Sequence, residues 1–390
     1  ETTGKSFDEV INFGNMVEAG RKSCDGSRWK TSTILFETHL LPECADIVET
    51  LAGEKRRFKG FHSFTTVEHG KARQIDALPI QERAGQKCLC RFYLTKAFSR
   101  SFISTNSASL EGRGMDYALE TLHQQLTRHF HRYGLEGGIY QFDFKGYFGS
   151  LPHDLIKARA RRVIRDDRLY CSYIDDFLKM KTADPKAKRK RGVGLGSEVS
   201  QITALDAASP IDHYFKDRRR VEAYGRYMDD GYAISPSLEE LRDLDRCNHL
   251  LAADLGLTLN DKKCIITPFK HHSFTFLKVR FTLQESGKVT IKLSRQSIKA
   301  IRRKMDIFRA WVTEGQMDAE DAIQSYQSWR AHAKRCDSYR TLEAMDARFT
   351  SMFAPELRRR KNKFPCTLRA KKTKAGWEYT RITQQATQAA

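Results

Sequence analysis

The sequence predicts an α+β body followed by a helical domain, and three observations support this prediction. Residues 115–133 carry apolar side chains at the spacing of an amphipathic helix, and the apolar, aromatic run 139–144 is typical of a buried strand. Apolar residues alternate on both sides of a tight turn within 222–234, which predicts a β-hairpin. From Ser294 onward almost all of the chain has helical spacing, which indicates a separate helical domain.

The elements between these landmarks follow in chain order. Residues 151–181 are predicted to be helical with a basic face, and the basic stretch 186–191 is predicted to be a loop. Further helices are expected over 200–215 and 238–255, and paired strands over 274–292. In the last domain Ser294 is the expected N-cap of the first helix, and two more helices are expected over 318–334 and 337–353.

Composition excludes several classes of protein. The 390 residues include 68 Lys and Arg against 48 Asp and Glu, so the net charge is +20, which favours a polyanionic partner such as nucleic acid. The apolar fraction of 40% is enough for a sizeable core. No apolar run approaches the roughly 18 residues that span a bilayer. Because residues 1–20 lack an apolar secretory segment, we expect a cytoplasmic protein with no membrane partner.

Nine cysteines are scattered along the chain. Their number is odd, and no two of them form a Cys-x-x-Cys pair. Disulfide frameworks and common zinc sites have characteristic cysteine spacings. We therefore expect neither a disulfide framework nor a structural zinc site, and a reducing compartment.

Adjacent aspartates occur at 166–167, 175–176 and 229–230. Neighbouring carboxylates repel each other, so such a pair is informative where a cation relieves the repulsion. The first pair lies among arginines and the second beside a helical apolar stripe, so we interpret both as surface features. Asp229 and Asp230 instead occupy the tip of the predicted hairpin, where a carboxylate can reach a metal held against a neighbouring strand.

Asp143 lies within the apolar run 139–144. A buried carboxylate is unfavourable unless it is paired or bound to a metal, so a hydrogen-bonded core aspartate and a metal ligand are both open interpretations. Two such strands side by side would supply carboxylates for two Mg²⁺ ions, which catalyse phosphoryl transfer. The basic protein would then hold a polyanion around a local acidic site.

Five segments, in order, resemble the motifs of reverse transcriptases of the bacterial, non-retroviral kind. They are Phe142–Phe148, Gly194–Gln201, Tyr227–Asp230, Leu257–Lys263 and Phe276–Arg280, within residues 60–355. The resemblance implies a right-hand polymerase fold. Its implied parts are fingers with an N-terminal extension over 1–138, a palm over 139–292, a helical thumb over 293–356 and a basic tail over 357–390, with 151–192 belonging partly to the fingers.

The resemblance also implies the catalytic groups. Asp143 and Asp229 would ligate two Mg²⁺ ions, with the carbonyl of Phe144 assisting, and Mn²⁺ would be a substitute. Asp230 would hold the site electrostatically. Lys263, or the lysine before it, would protonate the leaving pyrophosphate.

A second set of residues is implied to bind the nucleotide. These are Lys71, Arg73, Phe144, Phe148, Gly196, Ser200 and Gln201. Lys71 and Arg73 would grip the triphosphate, with surface charge as the alternative interpretation. Phe148 would crowd a ribose 2′-hydroxyl and so favour deoxynucleotides, with core packing as the alternative.

Contacts with nucleic acid are implied in three places. The primer grip would be Phe276, Leu277 and Lys278, and the thumb would follow the duplex backbone through Arg302, Arg303 and Lys304. The basic loop and the tail would dock RNA through Lys188, Arg189, Lys190, Arg191, Arg358, Arg359 and Arg360. A solubilising charge run is the alternative interpretation of the loop and the tail.

Departures from the family pattern indicate a branch. Leu195 stands where many relatives have Gln, so nucleotide selection is expected to differ. The ending Ser200-Gln201 resembles the enzymes of diversity-generating retroelements and, more loosely, those of antiphage defence. The Val-Thr-Gly signature of retrons is absent, no HNH-like His/Cys cluster is present, and the 34 residues of 357–390 are too few for an RNase H domain.

The leading hypothesis is an RNA-directed DNA polymerase that copies an associated RNA in one of these two bacterial systems. The expected partners are a structured non-coding or template RNA, an RNA–DNA duplex, dNTPs, and a small accessory protein or a second copy of the chain. Two alternatives stay open. One is an RNA-binding maturase or scaffold, and the other is a palm polymerase with relaxed template or nucleotide choice.

Overall fold

The structure, a computed structural model, describes residues 4–53, 62–68, 71–178, 190–363, 366–373 and 376–383. The chain divides into two compact units. One comprises Glu1–His272 with Leu283–Val289, and the other Ser273–Thr282 with Thr290–Ala390. The further division into fingers, palm and thumb stays a prediction.

Thirteen helices of the first unit lie in the described ranges. They are α1 (Phe7–Val10), α2 (Phe13–Cys24), α3 (Thr31–Thr38), α4 (Leu40–Leu51), α5 (Ile80–Leu89), α6 (Thr95–Ser99), α7 (Met115–Tyr133), α8 (Tyr147–Ser150), α9 (His153–Val163), α10 (Asp167–Cys171), α11 (Glu198–Ala207), α12 (Ser209–His213) and α13 (Leu238–Asp254). Short π-helical turns occur at Cys90–Leu94, Ser172–Phe177 and Tyr214–Arg218.

Strands of the first unit form two sheets. The hairpin β1 (His62–Glu68) and β2 (Lys71–Ala77) is one of them. The other contains β3 (Gly138–Asp143), β4 (Ala223–Tyr227), β5 (Asp230–Ser235) and β6 (Ile265–Pro268), in the antiparallel order β4-β5-β3-β6.

The four-stranded sheet is covered by two amphipathic helices. Helix α7 packs against β4 and β5, and α13 packs against β3, β5 and β6. Ser237 caps α13, since its side chain accepts a hydrogen bond from the backbone N–H of Glu240 at 3.2 Å. Strand β3 has a partner on each side, and β5 pairs with it as far as its last residue, Asp143.

The second unit contains a three-stranded sheet and a helical cluster. Its elements are β7 (Ser273–Phe276), β8 (Val279–Leu283), β9 (Val289–Leu293), α14 (Arg295–Thr313), α15 (Ala319–Ala333), α16 (Tyr339–Met352), α17 (Ala354–Lys363), β10 (Cys366–Thr373) and β11 (Gly376–Thr383). Ser294 caps α14, as predicted, by accepting from the N–H of Ser297. The core of the cluster is formed by Met305, Tyr326 and Phe349 with their apolar neighbours. No described helix is both long and apolar enough to cross a membrane.

Most predicted elements in the described ranges are confirmed, and the end of the chain is the exception. The predicted loop 186–191 lies largely outside the described residues, as does the end of the predicted helical stretch 151–181. The helix over 115–133, the strand near 139–144 and the hairpin within 222–234 are all present. The prediction of an almost entirely helical C-terminal part is wrong, because β10 and β11 pair as a hairpin beyond α17. Frequent Lys and Arg there obscured the β-branched and aromatic residues of 376–383, which favour a strand.

Gly231, in β5, provides a test of the packing of the four-stranded sheet. A Cβ at this position would lie 2.1 Å from the ring of Phe142, on the strand next to it. We expect Gly231→Ala to lower the free energy of unfolding by about 1–3 kcal/mol, because the ring cannot move within a packed core. Urea unfolding followed by circular dichroism measures the change.

Gly149→Ala is the matched control, since a Cβ on this helical glycine meets nothing within 4 Å. It should leave stability unchanged or slightly higher. Equal unfolding midpoints for the two variants would contradict the packing described for Gly231 and Phe142.

Candidate active site

A strained turn presents one carboxylate at the tip of the β4–β5 hairpin. Tyr227 pairs with Asp230, so Met228 and Asp229 form a two-residue turn. The φ of Met228 is 58°, in the left-handed region that side chains with a Cβ disfavour. Such strain persists where the surrounding structure holds the backbone in place, and it concentrates at functional sites.

The register of β3 and β5 brings a second and a third carboxylate to the same end of the sheet. Asp143, the last residue of β3, lies opposite Asp230, the first residue of β5. Asp143 is 5% exposed. Because Asp229 directly precedes Asp230, the three aspartates that the sequence predicted as catalytic are brought together.

The turn that follows α13 closes around Asp143. The backbone N–H of Asn260 donates to the carbonyl of Asp143 at 2.8 Å, and that of Lys145 donates to the carbonyl of Thr258 at 2.8 Å. The ammonium of Lys263 donates to Oδ2 of Asp143 at 2.5 Å. The structure therefore brings Lys263 to the acidic site, whereas no contact of Lys262 with the aspartates is present among the described residues.

Burial and mutual repulsion raise the pKa values of two carboxyl groups at this site. Burial raises the pKa of Asp229, and the charge of Asp143 adds to this effect. Burial, followed by the charges of Asp229 and Asp143, raises the pKa of Asp230 to about 7. For Lys263, burial acts to lower the pKa, but the hydrogen bond and charge of Asp143 outweigh it and the pKa is raised.

The donor set of the site fits a hard divalent cation. Three carboxylates and the nearby backbone supply only oxygen, which is the ligand type that Mg²⁺ prefers. The repulsion that raises the pKa values of Asp229 and Asp230 is what a bound cation relieves. The oxygens of the three aspartates are not all within 4.8 Å of one another, a condition that only Asp245, His249 and Cys264 meet among the described residues.

A buried ion pair between Arg226 and Asp212, which we call the brace, supports the strained turn. Arg226 donates from Nε to Oδ1 of Asp212 at 2.7 Å and from Nη2 to Oδ2 at 2.6 Å, and neither side chain is exposed to solvent. The same guanidinium donates from Nη1 to the carbonyl of Met228 at 2.7 Å. The hydroxyl of Tyr224 donates to Asp212 at 2.8 Å, so the carboxylate is fixed as well. Arg226 thereby holds the backbone that positions Asp229.

Sequence reasoning missed this brace. Arg226 falls within the apolar alternation of β4, and a charged residue inside a strand whose neighbours are buried was the available signal. Its partner Asp212 lies in α12, and no sequence pattern links the two positions.

The contacts described for Gly196, Ser200 and Gln201, which are predicted to bind the nucleotide, are with residues other than the three aspartates. Ser200 is fully buried and accepts a hydrogen bond from the Ser197 hydroxyl at 2.8 Å, within the N-terminal turn of α11. Gln201 accepts from the Ser109 hydroxyl at 2.9 Å. Gly196 has a φ of 124°, which a side chain would strain. These observations give each residue a structural role and leave nucleotide binding as a prediction.

The aromatic residues of this segment stack beside the sheet. Phe144 is buried and its ring lies 4.9 Å from that of Tyr147. Phe148 is half-buried and meets the Tyr147 ring edge-on at 6.1 Å, so part of its ring stays accessible. Its role in nucleotide selection stays a prediction.

Several predicted contacts lie outside the described side chains. This applies to Lys71, Arg73, Lys188, Arg189, Arg359 and Arg360. Arg191 is described, and its guanidinium donates to the carbonyls of Ser150 and Gly256, which is a structural role. Lys190 and Arg358 are exposed.

The second unit carries the predicted primer-grip and thumb residues. Phe276 is buried, and Leu277 and Lys278 form the β7–β8 turn with φ values of 48° and 67°. The left-handed region is required at both centres of such a turn. In α14 the side chains of Arg302, Arg303 and Lys304 are exposed.

The other aspartate pairs lie away from the sheet, as predicted. Asp166 caps α10 by accepting from the N–H of Leu169, and Asp167 forms an ion pair with Arg161 at 2.6 Å. Asp175 is exposed within the π-helical turn Ser172–Phe177.

Comparisons with known proteins give weak similarity only. No protein-family model and no curated protein matches the chain. Solved structures that match include telomerase from Candida albicans in complex with a TWJ fragment of telomeric RNA, with 12% identity, a TM-score of 0.44, and coverage of 77% of this chain and 56% of that one. Apo telomerase from Candida tropicalis truncated from its C-terminal domain matches with 14% identity and a TM-score of 0.44, covering 60% of this chain and 55% of that one.

A further structure of apo telomerase from Candida tropicalis matches with 13% identity and a TM-score of 0.42, covering 60% of this chain and 47% of that one. The chain therefore spans about half the length of these telomerases. At these identities and TM-scores the similarity does not determine a function, so the function must be argued from the site.

Asp212→Asn tests the brace. The substitution leaves the Arg226 charge buried without its counter-ion, so we expect the free energy of unfolding to fall by about 3–5 kcal/mol. Chemical denaturation measures the fall. Glu222→Gln is the control, because the ion pair of Glu222 with Arg132 is solvent-exposed and its loss should leave the midpoint unchanged. A midpoint for Asp212→Asn equal to that of the control would show that the pair does not hold the fold.

Proposed function

We propose that the protein is an RNA-directed DNA polymerase that works by two-metal nucleotidyl transfer. The observation that carries the proposal is the pairing of Asp143 with Asp230 across β3 and β5, with Asp229 at the adjoining strained turn. Three carboxylates held at one end of a sheet, on a chain of net charge +20, suit a reaction that joins polyanions. Their order and spacing resemble those of reverse transcriptases, and this resemblance implies an RNA template and a DNA product.

Asp143 and Asp229 would hold two Mg²⁺ ions, with the carbonyl of Phe144 and the carboxylate of Asp230 beside them. Bound Mg²⁺ supplies activation of the attacking 3′-hydroxyl and stabilisation of the leaving oxygen. The brace from Arg226 keeps Asp229 in place during this reaction, since an attacking group and a phosphorus atom react efficiently only when they are aligned.

Lys263 would donate a proton to the leaving pyrophosphate. Its ammonium is hydrogen-bonded to Asp143, so the proton-bearing group is held at the acidic site and not on a free side chain. Lys71 and Arg73, by resemblance, would bind the triphosphate, and Arg302, Arg303 and Lys304 would contact the backbone of the RNA–DNA duplex. The structured RNA would dock on the basic loop 186–191 and the tail.

The biological setting is part of the proposal. The Ser200-Gln201 ending favours a diversity-generating retroelement or an antiphage defence system of a bacterium. An imperfect repeat pair beside the gene would support diversification, and a structured RNA upstream of a lone gene would support defence.

Asp229→Asn tests the polymerase proposal. Removing one negative charge from the metal-binding set should lower dNTP incorporation by about a hundredfold or more, because charge stabilisation of the transition state is lost. Primer extension on an RNA template with Mg²⁺ measures the effect. Asp175→Asn is the matched control, since it changes an exposed aspartate of another adjacent pair and should keep full activity.

Equal activity of the two variants would contradict the assignment of Asp229. Unchanged RNA binding and biological function with both Asp143→Ala and Asp229→Ala would instead support an RNA-binding maturase or scaffold.

Phe148→Ala tests the choice of sugar. Removing the ring should raise rNTP use relative to dNTP use by about tenfold or more, because space opens for the 2′-hydroxyl. Phe148→Tyr keeps the ring and should retain the preference for dNTPs. Steady-state incorporation of each nucleotide on the same primer and template measures the ratio. Efficient rNTP use by the unaltered protein would overturn this role.

A further inference from the structure

A second cluster of metal-ligating side chains lies between α13 and the turn that holds Asp143. Asp245 and His249 are one turn apart on α13, and Cys264 follows the turn that holds Asp143. One ligand atom from each of these three residues lies within 4.8 Å of the other two. The cluster uses none of the three catalytic aspartates.

The distance between Asp245 and His249 suits two ligands of one ion better than a hydrogen bond. Oδ1 of Asp245 lies 3.6 Å from Nε2 of His249, which is too long for a hydrogen bond. Two nitrogen, oxygen or sulfur ligands of one tetrahedral Zn²⁺ ion are about 3.3–3.7 Å apart, given metal–ligand bonds of about 2.0–2.3 Å.

An unpartnered oxygen is the second observation that points to a ligand. Oδ1 of Asp245 is itself shielded from solvent, although 32% of the side chain is exposed, and no hydrogen-bond partner for this oxygen is present in the described part of the chain. A buried carboxylate oxygen without a partner is unfavourable, and a cation beside it would remove that penalty. Oδ1 of Asp261 also lies 3.9 Å from Nε2 of His249, so a further carboxylate borders the same nitrogen.

We infer that Asp245, His249 and Cys264 form a zinc site, with solvent completing the coordination of the ion. A thiolate, an imidazole and a carboxylate together suit Zn²⁺, whereas Mg²⁺ prefers oxygen alone. The bound ion would displace the thiol proton of Cys264 to solvent as the sulfur coordinates.

The inferred ion would link α13 to the turn 260–264. That turn carries Asn260 and Lys263, which hold Asp143 through the hydrogen bonds described above. The zinc site would thus be structural, because it would fix the turn that supports Asp143. Because the cluster contains only one cysteine, cysteine spacing could not reveal it, and the expectation of no zinc site rested on that spacing alone.

Metal binding by the full chain tests this inference independently of polymerase activity. The protein is stripped with a chelator, dialysed, and titrated with Zn²⁺ against a competing dye. We expect one tight site, a higher unfolding temperature on binding, and, with Co²⁺ in place of Zn²⁺, absorption from thiolate-to-cobalt charge transfer. The site should persist in Asp229→Asn, which separates it from the catalytic acids.

Matched variants identify the ligands. Cys264→Ser should abolish the charge-transfer absorption and weaken Zn²⁺ binding by about tenfold or more, and His249→Gln should weaken it similarly while keeping the thiolate. Cys247→Ser, a cysteine on the same helix that lies outside the cluster, should bind Zn²⁺ as the unaltered chain does. No stoichiometric Zn²⁺ binding, or equal affinity of the Cys264→Ser and Cys247→Ser proteins, would overturn the inference, and circular dichroism verifies that each variant is folded.

Discussion

The guanidinium of Arg226 is the group on which the acidic site depends. It is fully buried, it bonds to both oxygens of Asp212, and it holds the carbonyl of the strained residue Met228. An unpaired charge in this position would be strongly unfavourable, so the arginine and its aspartate can be accommodated only together. Because the turn at Met228 presents Asp229, this buried ion pair sets the position of a carboxylate that would hold a metal.

The same site balances charge in a second way. Asp143, Asp229 and Asp230 gather negative charge on a protein whose net charge is +20. The ammonium of Lys263 offsets part of it through Asp143. Burial, followed by the charges of neighbouring aspartates, still raises the pKa values of Asp229 and Asp230. The negative charge that remains at the site would be stabilised by bound cations, and this is the physical basis of the proposed two-metal reaction.

The sequence predicted those elements whose side chains repeat with a clear period. Helix α7 and the β4–β5 hairpin are examples, since apolar residues recur at the spacing of the element. It also separated Asp229 from Asp175, because the flanking pattern was alternating in one case and helical in the other. The β10–β11 hairpin was missed because frequent Lys and Arg obscured its strand-forming residues.

By itself, the sequence determined the α+β class, the aspartates that belong to strand ends, and a resemblance that implies polymerase chemistry. Only the tertiary structure decided which groups meet. The pairing of Arg226 with Asp212, of Lys263 with Asp143, and of Cys264 with α13 each joins positions on different elements. Local periodicity reports which face of an element is buried, but it does not report what that face is buried against.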